Sequence, residues 1–406
     1  MSWGFSPLLL TQATAPTADS IIEVGAGNIV YTGQPLPLYV HPSSCAMVYT
    51  CNAPFVLHNQ INYFSGFYVN DGRFVVSAGN AGFSYVAYEP GPNGNPGVLK
   101  FLGPVLSYMY LDRAYTKVSD RYTIGFAVSF QNHNYNSRVA TFFNSVGSQL
   151  SIYLSTGGYI RVYRGHNTSK TLLFDGTGDD DYYFGIGQWR YIEFAAIIDN
   201  TAGSFSIRID GQDAIMTTQT GIDTQNQADA TIDTVMFGWD VLFEYGNSMF
   251  IDDFYYKDMI GDSNGFIGKC YVYHIAPDAE GDTQNFTPST GTMHWSLVDD
   301  RLSATDYLDS ATVNDIELFN AAAPPEMAGV IAGAKVCNYV QGTTADPRTI
   351  ASIIKTSGVI YGEGKQDAIT TSFAVYEQIY PINPATGVDW ISPDFDDIQI
   401  GVKNTS

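Results

Sequence analysis

The chain has 406 residues, of which 45% are hydrophobic and only 15% charged, and its 41 acidic against 19 basic side chains give a formal net charge of −22. A chain of this length holds two or three domains with sizeable cores, and its acidity argues against nucleic acid as a partner, because binding it requires a positive surface that displaces counterions. No stretch approaches the roughly 20 apolar residues that cross a bilayer as a helix, so no membrane insertion is expected.

The 28 Tyr, 24 Phe and 39 Gly suit twisted antiparallel sheets joined by tight turns, since aromatics favour strands and glycine supplies positive φ. The opening run from Met1 to Leu10 lacks a basic flank and is too short in apolar residues for a secretory signal, so use without export is expected, with a signal already removed as the alternative. Residues 1–54 carry β-like runs at Ile21 to Val24 and Ile29 to Thr32, then Pro35 and Pro37, then a short apolar run between Cys45 and Cys51. This composition predicts a small β unit or an arm that orders on a partner.

Residues 55–260 read as one large β-sandwich. Strands are predicted at Gly72 to Ala78, Ser84 to Tyr88, Ser107 to Leu111, Tyr122 to Phe130, Arg138 to Asn144, Leu150 to Leu154, Tyr159 to Arg164, Ile232 to Phe237 and Ser248 to Tyr256. Turn residues punctuate them at Asn70-Asp71-Gly72, Gly91-Pro92-Asn93-Gly94, Thr156-Gly157-Gly158 and Asp175-Gly176. The clearest pattern is a hairpin: Trp189 opens a run to Ile198, the turn Asp199 to Gly203 follows, and a second run ends in Asp210-Gly211. In the second run Phe205, Ile207 and Ile209 share one face and Ser204, Ser206, Arg208 and Asp210 the other, a period of two with one wet side. The first run is apolar on both faces and is expected to be covered on both.

Residues 261–406 predict a second, smaller sandwich, with strands at Lys269 to Ile275, Ala328 to Gln341, Thr349 to Thr356, Val359 to Gly362 and Ser372 to Tyr380. Gly281 to Leu318 reads as loop-rich, with a short helix near Thr312 to Phe319. Asp252-Asp253 and Asp396-Asp397 each sit in an apolar, strand-like run, which suggests a degenerate repeat. The cysteines, Cys45, Cys51, Cys270 and Cys337, match no zinc spacing; buried thiols are expected, with a Cys45–Cys51 or Cys270–Cys337 disulfide as the alternative.

Catalytic patterns are sparse. Gly261-Asp262-Ser263-Asn264-Gly265 matches a nucleophile-elbow spacing, but a strand rather than a helix is predicted after it. Retaining glycoside hydrolysis needs two carboxyls about 5–5.5 Å apart. The alternating acidic strand that supplies them in related sandwiches is missing, Glu193 stands alone, and Asp252 and Asp253 point to opposite faces. No enzyme activity is expected. The acidic loop holding Asp175, Asp179, Asp180 and Asp181 is the candidate Ca²⁺ site, because flexible carboxylate loops supply the oxygens this ion takes; a merely solvated loop is the alternative. Tyr182, Tyr183 and Trp239 are candidate glycan-stacking residues, with core packing as the alternative.

The hairpin, with its Trp189 opening and Asp210-Gly211 close, resembles the one in laminin-G-like, concanavalin-type jelly rolls. A longer series resembles a family of tailed-bacteriophage virion proteins. It comprises Asp252-Asp253-Phe254-Tyr255, Gly265-Phe266-Ile267-Gly268, Asn285-Phe286-Thr287-Pro288 and Trp295-Ser296-Leu297-Val298-Asp299, with Pro384 to Trp390 and Phe395 to Val402 near the end. In that family a laminin-G-like jelly roll runs through such a junction into a second β domain; Ile267 stands where the pattern has leucine. The resemblance implies a non-enzymatic structural protein on the exterior of a phage particle: a head decoration, collar, tail or fibre component. It would be assembled in the bacterial cytoplasm, with capsid, collar or tail proteins as partners and a homo-oligomer, preferably a trimer, as its state. The alternative is a glycan-binding adhesin module that recognises a host surface glycan. Residues 1–54 are then the candidate virion-docking element.

Overall fold

The computed structural model describes residues 38–51, 63–65, 74–75, 83–92, 96–101, 107–111, 118–133, 136–166, 169–212, 216–239, 248–257, 266–299, 306–322, 330–343 and 348–406. They form an all-β protein of four antiparallel sheets arranged as two sandwiches.

In the first sandwich one sheet runs, edge to edge, Thr171–Asp175, Ile160–Arg164, Ser148–Leu154, Ser137–Phe143, Thr234–Trp239, Ser107–Leu111 and Phe74–Val75. The facing sheet runs Met216–Ile222, Gly203–Ile209, Arg190–Ile197, Arg121–Phe130, Met249–Lys257, Pro96–Phe101 and Phe83–Pro90, with Tyr63–Ser65 also paired to Met249–Lys257. Alternation decides what lies between them. Leu150, Ile152 and Leu154 from one sheet meet Phe194, Phe205, Ile207 and Ile209 from the other in a single core. Phe194 sits at its centre, stacked on Phe142 at 5.3 Å and on Phe205 at 5.8 Å between ring centroids. The hairpin expected from Trp189 to Gly211 is present as the strands Arg190–Ile197 and Gly203–Ile209, with Phe194 opposite Ile207.

The second sandwich has one sheet ordered Thr287–Pro288, Leu308–Ser310, Leu38–Cys51, Val330–Gly342, Ala374–Tyr380, with Cys270–Ile275 also paired to Leu38–Cys51. Its partner sheet runs Pro277–Gln284, Ile316–Ala321, Gln399–Asn404, Thr349–Thr356 and Val359–Tyr361, with Asp367–Ala368 paired to Thr349–Thr356. Ile331, Ala334, Val336, Ile354, Trp390 and Ile400 pack between these sheets.

The place of Leu38–Cys51 changes the organisation expected for the N-terminal segment. This strand lies inside the second sandwich, pairing Cys45 with Cys337 and Cys51 with Cys270 in register. The first sandwich is therefore inserted into the second after the latter's first strand, and the chain crosses between them twice. Of the candidate docking segment 1–54, residues 38–51 are this strand, and residues 1–37 and 52–54 lie outside the described residues. Cys270 is disulfide-bonded, and Cys337 keeps a buried thiol, so the Cys270–Cys337 alternative is overturned. The register explains why: each of the two stands opposite a different cysteine of Leu38–Cys51.

Two further expectations are corrected. The helix placed near Thr312 to Phe319 is replaced by a turn and the strand Ile316–Ala321, because Leu318 and Phe319 are claimed by neighbouring strands and bury on opposite faces. The Asp-Asp repeat fails as well. Asp252 and Asp253 are buried in a bulged strand, whereas Asp396 and Asp397 are exposed after the short 3-10 turn Ser392–Phe395.

Candidate functional site

The acidic loop does not gather its carboxylates. Asp175 ends a strand and is held there by Arg161, whose Nε donates to Oδ1 at 2.9 Å, and by the Thr177 backbone N–H at 3.0 Å. Burial alone would raise its pKa, but these donors outweigh it and hold the carboxyl below its ordinary value. Asp179 caps the turn Asp180–Tyr182, its Oδ1 accepting from the Asp181 N–H at 3.0 Å. Asp180 and Asp181 are exposed, and no group of three or more His, Cys, Asp or Glu side chains is placed to hold a metal ion among the described residues. The Ca²⁺ site expected from Asp175, Asp179, Asp180 and Asp181 is thus not assembled. Two of its four acids, Asp175 and Asp179, are engaged in closing turns of the loop itself.

The aromatic candidates separate in the same way. Tyr182 is buried, packed on Phe174 at 5.0 Å, and its hydroxyl shares a 2.6 Å hydrogen bond with Thr217 Oγ1, so it is a core residue rather than a stacking platform. Tyr183, the next residue, turns outward and is 38% exposed. It packs against Tyr159 at 5.4 Å and against His133 at 5.9 Å, and its carbonyl accepts from Arg190 Nη1 at 2.7 Å. A Cβ on Gly158, whose φ is +83°, would meet His133 and Tyr183 within 3 Å, so only glycine lets these rings close over that turn. Ile186, three residues on, is 63% exposed. The backbone of Trp239 closes the strand Thr234–Trp239 opposite Ser107; its side chain lies outside the description, as does the Gly261 to Gly265 motif.

The densest polar chemistry lies where the sandwiches meet. Glu193 and Arg208 stand directly opposite on neighbouring strands, Arg208 on the face of its strand assigned above to solvent. Both are buried, with Arg208 Nε donating to Glu193 Oε2 at 2.7 Å and its guanidinium lying over the Phe266 ring at 4.8 Å. The other carboxylate oxygen, Oε1, accepts from the Tyr255 hydroxyl at 2.8 Å and from the Gly268 backbone N–H at 2.7 Å. Glu193 therefore ties the first sandwich to the segment by which the chain returns to the second. Burial pushes its pKa up, against the pull of Arg208 and these donors.

Asp253 makes a second tie. It sits at φ +50° in a bulge of Met249–Lys257, a conformation that non-glycine residues adopt only when their surroundings compensate. Here the compensation is specific: Asp253 Oδ1 accepts from the Val272 N–H at 2.8 Å, and its carbonyl accepts from the Tyr191 hydroxyl at 3.1 Å. Burial raises its pKa to about 8, partly offset by the Val272 N–H and Lys269, and buried Asp252 beside it is raised too. Around these ties Ala127, Tyr191 and Tyr255 pack on Ile267, Cys270, Val272, Ala332 and Cys337. Gly125 is required beneath Tyr255, because a Cβ there would lie 2.0 Å from the ring.

The second sandwich holds its own buried acid. Glu317 accepts from the Phe286 N–H at 2.9 Å and lies 2.7 Å from His294 Nδ1, while Glu280 accepts from the His294 N–H at 2.6 Å. Burial lifts the Glu317 pKa to about 7. Lys335 and Glu377 form a further buried ion pair at 3.0 Å.

The residues carrying the sequence resemblance thus fall on structural fastenings. The Asp-Asp pair bends and pins a strand, Gly268 meets Glu193, Phe286 meets Glu317, and Leu297 and Val298 fill a core. No family model matches the sequence, and no curated protein matches it. Among solved structures, "Cellulose induced protein, Cip1" is similar at 12% identity over 50% of this chain and 100% of that one, with a TM-score of 0.37. "Botulinum Neurotoxin Type G Receptor Binding Domain" is similar at 13% identity over 84% of this chain and 81% of that one, TM-score 0.35. An alginate lyase from Alteromonas sp.272 shares 11% identity over 44% of this chain and 94% of that one, TM-score 0.26. At these overlaps the likeness says nothing about activity.

Proposed function

We propose that the chain is a non-enzymatic structural subunit on the exterior of a tailed-phage particle, in which the two sandwiches act together as one stiff spacer. The observation that carries this reading is the joint: an inserted first sandwich, two chain crossings, and the buried Glu193–Arg208 and Asp253–Val272 ties. A spacer that transmits load needs its parts fixed to each other, and buried, directional polar contacts specify one arrangement where apolar contact alone would allow sliding. Two of the stretches that resemble virion proteins, Asp252-Asp253 and Phe266 to Gly268, supply residues of that joint.

The test is composition of purified particles. The subunit is expected at a fixed ratio to capsid or tail protein by mass spectrometry, and its absence from particles overturns the proposal. Docking through the N-terminal segment is tested by deleting residues 1–37, which leaves the sheet strand Leu38–Cys51 in place. The shortened chain is expected to fold and to drop out of particles.

A glycan-binding adhesin is the second reading, favoured by the outward ring of Tyr183 beside Tyr159. It predicts that the isolated chain binds host cells and that Tyr183→Ala weakens binding about tenfold, a loss of roughly 1.4 kcal/mol, within the range of one aromatic contact. Equal binding by the wild type and the variant would remove this patch from consideration.

A further inference from the structure

Sheet edges carry unpaired N–H and C=O groups, and soluble proteins blunt them with charge, proline, bulges or very short strands. Among the described residues most edges of this protein follow that rule. Pro277–Gln284 carries Pro277, Asp278, Glu280 and Asp282 and is broken by two register shifts. Thr287–Pro288 and Phe74–Val75 have two residues each, and Val359–Tyr361 has three. Phe83–Pro90 ends in Glu89 and Pro90. Thr171–Asp175 ends in the Arg161-bound Asp175. On Cys270–Ile275 the Val272 N–H is taken by Asp253, and on Ala374–Tyr380 the Glu377 carbonyl accepts from the Lys365 amine.

Met216–Ile222 breaks the rule. It is the terminal strand of its sheet, seven residues long, Met-Thr-Thr-Gln-Thr-Gly-Ile, with no ionisable residue and no proline. Met216 is 43% exposed, and Thr218 and Thr220 are also exposed on the same face. From Met216 to Thr220 the pairing with Gly203–Ile209 is regular, and the bulge comes only beyond it, at Gly221 with φ +65°. Over these five residues the N–H and C=O groups of alternate residues face outward in regular register, and they fit an extended strand.

We propose that this edge is the self-association site of the protein: two copies pair their Met216–Thr220 segments antiparallel about a two-fold axis at Thr218, joining two sheets into one. Charge selects a second copy as the occupant. A molecule of net charge −22 repels itself over most of its surface, and this strip is neutral along its whole length. The sequence is also self-complementary about Thr218. Thr217 falls opposite Gln219 of the other copy, Met216 opposite Thr220, and Thr218 opposite itself, so polar side chains meet on one face and β-branched or apolar groups on the other. Antiparallel pairing of identical strands closes on itself and yields a dimer, in contrast to the trimer expected from the family resemblance. The inference does not depend on the virion reading.

Light scattering coupled to size exclusion on the full chain is expected to give a dimer. Thr218→Lys places two like charges face to face at the axis and is expected to give a monomer with unchanged circular dichroism and melting. This direction is diagnostic, because added lysine lowers the net negative charge and would strengthen any association governed by overall repulsion. Thr218→Cys, oxidised, is expected to cross-link two copies, since cross-strand Cα separations of about 4.5–5.5 Å suit a disulfide. Thr201→Cys, on an exposed turn elsewhere, is expected not to. A monomeric wild type, an oligomer that survives Thr218→Lys, or equal cross-linking by both cysteine variants each overturns the proposal.

Discussion

Glu193→Ala is expected to destabilise the protein by about 3–5 kcal/mol, the cost of leaving one member of a buried ion pair without the other. The reasoning is local and physical. Arg208 is buried, its guanidinium reaches Glu193 Oε2 through Nη2 at 2.6 Å as well as through Nε at 2.7 Å, and truncation removes that acceptor without admitting bulk water. The same substitution strips the acceptor from the Tyr255 hydroxyl and the Gly268 N–H, so the loss falls on the joint and on the first sandwich together. Calorimetry is the suitable measurement. The wild type is expected to melt with its sandwiches coupled, and the variant to melt earlier, with the transition splitting as the modules come apart. Glu193→Ala combined with Arg208→Met is expected to recover a large part of the loss, because it removes the orphaned charge and leaves an apolar side chain against Phe266. A single variant that melts like the wild type would show that the joint does not couple the modules.

This joint was beyond the reach of sequence patterning, and the reason is separation along the chain. Alternation assigns Glu193 and Arg208 to the outer face of their strands, and that is where they are. What alternation cannot supply is the cover. Glu193 is fifteen residues from Arg208, but 62 from Tyr255 and 75 from Gly268, and only folding brings the last two near. An acid read as isolated and a face read as wet are both local truths that tertiary packing overrides. The apolar outer face of Arg190–Ile197 was the one available signal, since it demanded a second cover, and Tyr191 indeed packs against the second sandwich.

Elsewhere legibility follows the strength of the side-chain alternation. Thr349–Thr356 and Ser107–Leu111 lie where their apolar β-branched or aromatic runs place them. Met216–Ile222 gives no signal, because four of its residues are Thr or Gln and its pairing is dictated by Gly203–Ile209 alone. The end of Pro277–Gln284, from Gly281 on, reads as loop for a similar reason, the strand being charged and bulged at the sheet edge. The acidic loop was legible as a loop but not as a metal site. Four aspartates in seven residues resemble a ligand set on paper, while Asp175 and Asp179 in fact bond Arg161, Thr177 and Asp181.

Stability is expected to fall as pH rises from about 5 to 8, the reverse of what an acidic protein held by surface ion pairs would do. Glu317 is raised from 4.5 to about 7 and Asp253 from 3.8 to about 8, in both cases chiefly by burial, and Asp252 shifts the same way. A carboxyl with a raised folded pKa keeps a proton that the unfolded chain has released. Its contribution is therefore complete below the unfolded value and is lost as pH climbs through the folded one, with a slope of about 1.4 kcal/mol per pH unit for each full proton. His133, lowered by burial from 6.5, opposes this, as its contribution is lost when pH falls. Asp175, Asp199 and Asp282 also oppose it, but only below about pH 4, where carboxyls with depressed pKa values take up protons. Melting temperature against pH is thus expected to peak between about 4 and 5. Glu317→Gln fixes a neutral group in the site and is expected to make the decline between pH 5 and 7 shallower, leaving the part that Asp253 sustains from pH 5 up to about 8. Asp253→Asn is expected to make the decline shallower over the whole span from pH 5 to 8 and to remove most of what remains above 7. A wild-type profile that is level or rising from pH 5 to 8 would mean that these carboxyls reach water in the folded state.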